Sequence, residues 1–119
     1  MPSVAIVGAS SNPSKFGNKA VRAYVRQGWT VFPVNPGESR VEGLAAYPDV
    51  EAIPEKLDRV SLYVPATVGE RLLPGIARKA PAELWVNPGA ESDALLAEAE
   101  RLGLSVIQAC SIVDIGERP

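Results

Sequence analysis

Five short apolar runs, Val4–Val7, Thr30–Val34, Arg59–Val64, Glu83–Val86 and Ser105–Gln108, alternate with stretches of helical spacing, and each run ends in a Gly, Pro, Asn or Ser turn. Near-continuous apolarity marks strands buried on both faces, which requires helices above and below a parallel sheet. The predicted class is α/β, a three-layer, doubly wound, five-stranded parallel sheet. A helix is expected over Lys15–Gln27, with Ser14 as N-cap, Phe16, Ala20, Val21, Tyr24 and Val25 at core spacing, and Gly28 at its end. A second spans Val68–Lys79 with Thr67 as N-cap, where Pro74-Gly75 predicts a kink or a late start. A third covers Ser92–Leu102, closed by Gly103. Between the second and third strands a loop is expected, with a short helix inside Asp49–Leu57 interrupted by Pro54. Right-handed crossovers predict strand order 3-2-1-4-5, counted along the chain, with a ligand crevice above the carboxyl ends of strands one and four.

The first run continues as VAIVGASSNPSKFG, an apolar strand feeding a Gly/Ser/Asn loop and then a helix. Such a loop delivers anions to a helix N-terminus, where backbone N–H groups lack intrahelical acceptors and the helix dipole is positive. The dinucleotide fingerprint G-x-G-x-x-G is incomplete, because the next glycine after Gly8 is Gly17, and Asn12, Pro13 and Lys15 fill the interval. An NAD site places Asp or Glu near the end of the second strand to receive the ribose hydroxyls, and this chain has Asn35-Pro36 there. The nearest carboxylate, Glu38, reaches such a site only if its loop folds back, whereas Lys15 and Arg40 offer cations for additional phosphates. A more highly phosphorylated nucleotide is favoured over plain NAD. Lys15 is equally well read as a solvated surface lysine.

At 119 residues, with 46% hydrophobic and 22% charged residues, the chain suits one globular domain spanning 1–119 rather than separate cofactor and substrate domains. A net charge of -2 and scattered basic residues argue against nucleic acid. No apolar run approaches the roughly 20 residues that span a bilayer, and no signal-peptide pattern precedes the first strand, so no membrane is expected and the location is expected to be cytoplasmic. The absence of histidine and the single cysteine, Cys110, remove the commonest metal ligand, the commonest general base and any C-x-x-C site, so no metal is expected.

The strands end in Gly8-Ala9-Ser10-Ser11, Asn35-Pro36-Gly37, Pro65-Ala66-Thr67, Asn87-Pro88-Gly89 and Ala109-Cys110-Ser111, all at the sheet edge where doubly wound folds bind ligands. Together with VFPVNP, VSLYVPAT and LWVNPGA, these motifs give a chain that resembles, over nearly its whole length, the small bacterial and archaeal CoA-binding proteins of Rossmann type, similar to the CoA-binding domain of the succinyl-CoA synthetase α-subunit. The resemblance implies coenzyme A or an acyl-CoA as ligand. It implies that Gly8, Ala9, Ser10 and Ser11 receive the pyrophosphate beside Lys15, that Val34, Asn35 and Pro36 surround the adenosine, and that Val64, Pro65 and Ala66 wall it. It also implies that Asn87, Pro88 and Gly89 approach the pantetheine or phosphate. This chain departs from the family pattern at Tyr63-Val64, Asn87 and Gln108-Ala109, and it lacks the synthetase's phosphorylatable histidine, so synthetase activity does not transfer.

The leading expectation is a CoA or acyl-CoA binder without catalysis of its own and with no catalytic residue. The alternatives are an NAD(P)-binding oxidoreductase or redox-sensing subunit, and a subunit or regulator of an acyl-CoA ligase. A homodimer or a partner acyl-CoA enzyme stays open. Cys110 is read first as a small buried apolar residue, and alternatively as a nucleophile or the partner of a mixed disulfide with CoA. Trp29, Trp85, Tyr47 and Tyr63 are expected to pack rather than to stack on a ligand, and Glu91, Asp93, Asp114 and Glu117 to cap or to be solvated.

Overall fold

The computed structural model describes residues Met1–Pro119. Five parallel strands, β1 (Ser3–Val7), β2 (Thr30–Val34), β5 (Arg59–Leu62), β6 (Glu83–Val86) and β7 (Val106–Gln108), form one sheet in the order β2-β1-β5-β6-β7. Helix α1 (Phe16–Arg26) and the single turn α4 (Ser111–Asp114) cover one face, with Val4, Ile6, Ala20, Tyr24 and Ile112 packed between them. Helices α2 (Ala66–Lys79) and α3 (Asp93–Arg101) cover the other, over Ala5, Val7, Leu62, Leu84 and Val86. The alternation of β1 side chains between these two clusters is the two-faced burial that its apolar run requires.

The class, the parallel sheet and its two helical layers stand as expected, but the strand order does not. In the expected order the second strand lies between the first and the third; in the structure β5 takes the far side of β1, with Val4 opposite Arg59 and Val7 opposite Leu62. Pro33 is the physical reason. A central strand donates hydrogen bonds to both neighbours and proline has no N–H, so Pro33 belongs on an edge strand. Its carbonyl accepts from Tyr47 on the outer side of β2. Ser3 completes the arrangement, because its amide donates to the Asp58 carboxylate at 2.8 Å and its hydroxyl to the Lys56 carbonyl, fixing the start of β5 beside β1. The crevice accordingly lies over the ends of β1 and β5, where the chain's winding reverses, rather than over strands one and four.

Several local expectations are also corrected. The N-cap of α1 is Lys15, not Ser14; the Ser14 amide and hydroxyl are both held by Asn12 Oδ1. Helix α2 begins at Ala66 after Pro65, earlier than expected, and runs through Pro74. The segment after β2 holds a short hairpin, β3 (Arg40–Val41) and β4 (Leu44–Ala45), turned by Glu42 and Gly43 at positive φ. The short helix expected there is one 3-10 turn, Val50–Ala52, capped by the Asp49 carboxylate on the Ala52 amide. Its neighbours Ile53 and Leu57 are buried under the sheet, which carries the chain across to β5. No helix is long and apolar enough to cross a membrane.

Candidate functional site

The two glycines of the incomplete fingerprint touch. A Cβ on Gly17 would stand 2.0 Å from the Gly8 carbonyl oxygen, and one on Gly8, whose φ is +91°, would stand 2.5 Å from the Tyr63 carbonyl oxygen. Only glycine at both places lets the first turn of α1 rest on the β1 loop while that loop rests on the end of β5. The wide Gly8 to Gly17 spacing is therefore a close packing of strand, loop and helix with a longer loop between.

That loop is braced from below by side chains. Asn35 donates to the Ala9 carbonyl at 2.8 Å and accepts from the Gly37 amide at 2.7 Å, tying the ends of β1 and β2 together. Asn18, fully buried on α1, donates to the Ser10 carbonyl and to Glu42, and accepts from Arg22. Glu38 does fold back: its carboxylate accepts from the Ser11 amide at 2.8 Å and from the Ser11 hydroxyl. The Gly8 amide donates to Val34 and the Asn12 amide to Ser10 Oγ. The amides left without an acceptor in the chain are those of Ala9, Ser10, Phe16 and Gly17. The Ala9 amide is buried with its residue, and the other three, around a helix N-terminus with the Lys15 ammonium on the same turn, form an anion cradle.

Two cavities meet at this cradle and share Gly8, Asn35 and Val64. The first, about 390 Å³, lies between the end of β2 and α2 and is lined by Val34, Pro36, Val50, Val68, Arg71 and Leu72 among others. Its cations are Arg78, paired with Glu51 at 2.9 Å, and Arg71, which has no carboxylate partner. The second, about 780 Å³, runs past Ser10, Lys15, Pro65, Pro88, Gly89 and Cys110. Of the residues singled out in the sequence, Ala9 is buried beneath the loop, Ser11 is held by Glu38, and Ala66 packs against the core; the others line one cavity or both. The free amides of Phe16 and Gly17 lie at the helix N-terminus that the sequence points to, whereas Arg71 carries no local signal, because only the packing of α2 beside the end of β2 brings it to the smaller cavity.

The wall of the larger cavity is stitched by a buried polar network. Asn87 donates to Ser61 Oγ at 2.8 Å and to the Leu62 carbonyl at 2.9 Å, and accepts from the Ser111 amide at 2.9 Å. The Ser111 hydroxyl meets Ser61 Oγ at 2.7 Å and the Tyr63 hydroxyl at 3.1 Å. Burial pushes the Tyr63 phenol up to about 12, so it stays protonated throughout the neutral range. The Asn87 side chain thus joins β5, the end of β6 and α4 through three buried hydrogen bonds. Cys110 is a half-buried free thiol on the same wall.

The remaining candidates lie elsewhere or serve the fold. Trp29 and Trp85 sandwich the Arg59 guanidinium at 4.9 and 4.5 Å, and Arg59 also pairs with Glu83 and Asp114. Tyr47 packs edge-on against Phe32. Glu117 pairs with Arg26, and Glu91 accepts from the Gly89 amide.

A family model described as "CoA binding domain" matches residues 2–116. The α-subunit of the ADP-forming acetate–CoA ligase II of Pyrococcus furiosus is 40% identical over 65 residues, which is 52% of this chain and 14% of that protein. The ADP-forming acetate–CoA ligase I of Archaeoglobus fulgidus is 34% identical over 76 residues, 64% of this chain and 11% of that protein. The matched segments thus span only a small part of the length of these curated relatives. Among solved structures, a conserved hypothetical protein from Pyrococcus furiosus superimposes with a TM-score of 0.88 at 32% identity, covering 96% of this chain and 99% of that one. The dinucleotide forming acetyl-coenzyme A synthetase 1 of Ca. Korarchaeum cryptofilum, in complex with phosphate and ADP, superimposes with a TM-score of 0.79 at 27% identity, over 90% of this chain and 25% of that one.

Proposed function

The chain belongs to the CoA binding domain family, and from that premise we propose that residues 1–119 form one CoA-binding unit whose ligand lies across both cavities, with no chemistry performed by the chain itself. The observation that carries this reading is the cradle of free amides at Ser10, Phe16 and Gly17 on the wall of the larger cavity, which shares Gly8, Asn35 and Val64 with the smaller one. Its residues fit the group, since the free amides of Ser10, Phe16 and Gly17 line the larger cavity together with the Lys15 side chain. In this arrangement Ser10, Phe16 and Gly17 hold the pyrophosphate beside Lys15. The adenosine occupies the smaller cavity against Val34, Pro36 and Val64, and Arg71 offers its unpaired guanidinium to the ribose 3′-phosphate. The pantetheine follows the larger cavity along Pro65, Pro88 and Gly89 toward Cys110. CoA would supply only its thiol at that end; the protein binds, orients and shields it.

Glu38 favours a second reading, an NAD(P)-binding protein, because a carboxylate folded back to the β1 loop is the group that plain ribose hydroxyls need. Calorimetric titration against CoA, dephospho-CoA, NAD and NADP separates the two. The first reading expects binding of CoA with little or no heat from NAD(P); binding of NAD(P) with none of CoA overturns it. A role as the CoA-holding part of a larger acyl-CoA ligase has its own test, co-purification of a ligase partner from cell extract.

A further inference from the structure

We propose that Asn35 and Asn18 are positioning residues that aim the Ser10 amide at the ligand's phosphate, acting on the loop rather than on the ligand; this inference rests on the CoA reading above. Between the Ala9 carbonyl and the Ser11 amide, every polar group but one is engaged within the chain. Asn35 Nδ2 donates to the Ala9 carbonyl at 2.8 Å, Asn18 Nδ2 to the Ser10 carbonyl at 2.8 Å, and the Asn12 amide to Ser10 Oγ at 3.0 Å. The Ser11 amide and hydroxyl are held by Glu38. The exception is the Ser10 amide, which has no acceptor in the chain, and Ser10 lines the larger cavity. Peptide geometry connects these facts. In a planar trans peptide the C=O and N–H point in opposite directions, so Asn35, by fixing the Ala9 carbonyl from the end of β2, turns the Ser10 N–H of the same peptide the other way. The next peptide is held at both ends, its carbonyl by Asn18 from α1 and its amide by Glu38 from the segment after β2. With the peptides on both sides of Ser10 fixed, its amide has one direction. Rotation of the first peptide would present the Ala9 carbonyl to the phosphate and exchange attraction for repulsion. Asn18 is a fully buried polar residue that lines neither cavity. An apolar side chain would fill that space without the cost of burying an amide. The bonds of Asn18 go instead to Ser10, Glu42 and Arg22, and Arg22 reaches on to the Pro13 carbonyl at 3.0 Å, so α1 grips the loop at two points.

The test is a titration of the isotopically labelled chain with CoA, followed by NMR at the amides of Ser10, Phe16 and Gly17 and read also for the dissociation constant. In the unmodified protein all three amide protons are expected to shift on binding. In Asn35→Ala, and separately in Asn18→Ala, the Ser10 response is expected to disappear while those of Phe16 and Gly17 remain. CoA is then expected to bind about tenfold more weakly, the loss of one hydrogen bond to a charged group. A merely structural role would diminish all three responses together, and a direct contact of Asn35 with the adenosine would weaken binding with the Ser10 response intact; either result overturns the inference. Binding of CoA to the unmodified protein with no response at Ser10 overturns it too, and leaves the CoA reading standing. Failure of CoA to bind the unmodified protein overturns both. Asn18 is buried, so its truncation threatens folding more than that of the half-buried Asn35. Asn35→Asp has the same shape and still accepts from Gly37 but has no donor for Ala9, and it carries the same expectation at Ser10 where truncation unfolds the chain.

Discussion

At the scale of single residues, the site depends on what glycine lacks and on where one arginine stands. Gly17 is irreplaceable because the atom in its way is backbone, the Gly8 carbonyl oxygen 2.0 Å from an added Cβ, which no side-chain rotation relieves. Gly17→Ala is expected to lower the unfolding free energy by about 1–3 kcal/mol or more, through overpacking and displacement of α1 from the β1 loop. An unchanged denaturant midpoint would refute the packing account. Arg71 presents the opposite case, a residue the fold does not use. Arg71→Ala is expected to weaken CoA binding by about fivefold, the effect of one solvent-screened charge contact, and to leave dephospho-CoA binding unchanged. Equal losses for the two ligands would remove Arg71 from the ribose phosphate.

At the scale of elements, the four-residue α4 stays docked because Asn87 holds it. The amide of Ser111 at its start donates to Asn87 Oδ1, while the other end of the same side chain is bonded to β5. Asn87→Ala removes three bonds and leaves buried partners unsatisfied, each at a cost of about 1–3 kcal/mol. Hydrogen exchange at Ser111 and Ile112 is expected to accelerate before that of β1 and β5. Uniform loss of protection across the sheet would show that the network supports the whole core instead. Helix α2 makes a different point, since its Pro74 does not end it. The adjoining Gly75 faces Glu51 closely enough that an added Cβ would stand 2.8 Å from its carboxylate oxygen, and Leu73 and Ile76 are buried in the core. Packing against the sheet outweighs one missing backbone bond.

At the scale of the whole molecule, the Tyr63 phenol links stability to alkaline pH. Its native value stands at about 12 against an ordinary 10.0, because burial disfavours the phenolate. A raised native value means that the native state holds the proton longer than the unfolded chain does. The contribution is therefore complete below about pH 10 and is lost as pH rises toward about 12. Tyr63→Phe is expected to flatten the fall in unfolding free energy over that window, measured by denaturation at stepped pH, and identical slopes in the two proteins would refute the assignment. The sequence by itself determined the class, the five apolar strands, the helix end at Gly103, and the sheet edge at which the turns gather, because burial periodicity and turn chemistry are local properties. It also carried the sign of the strand order in Pro33, a residue without a donor that belongs at an edge. Whether Glu38 folds back to Ser11, which amides remain free, and that Arg71 and Phe16 face the cleft were decided only by the tertiary structure. Those facts depend on how far apart two helices and a loop lie in space, and no spacing along the chain records a distance between segments that meet only after the sheet has formed.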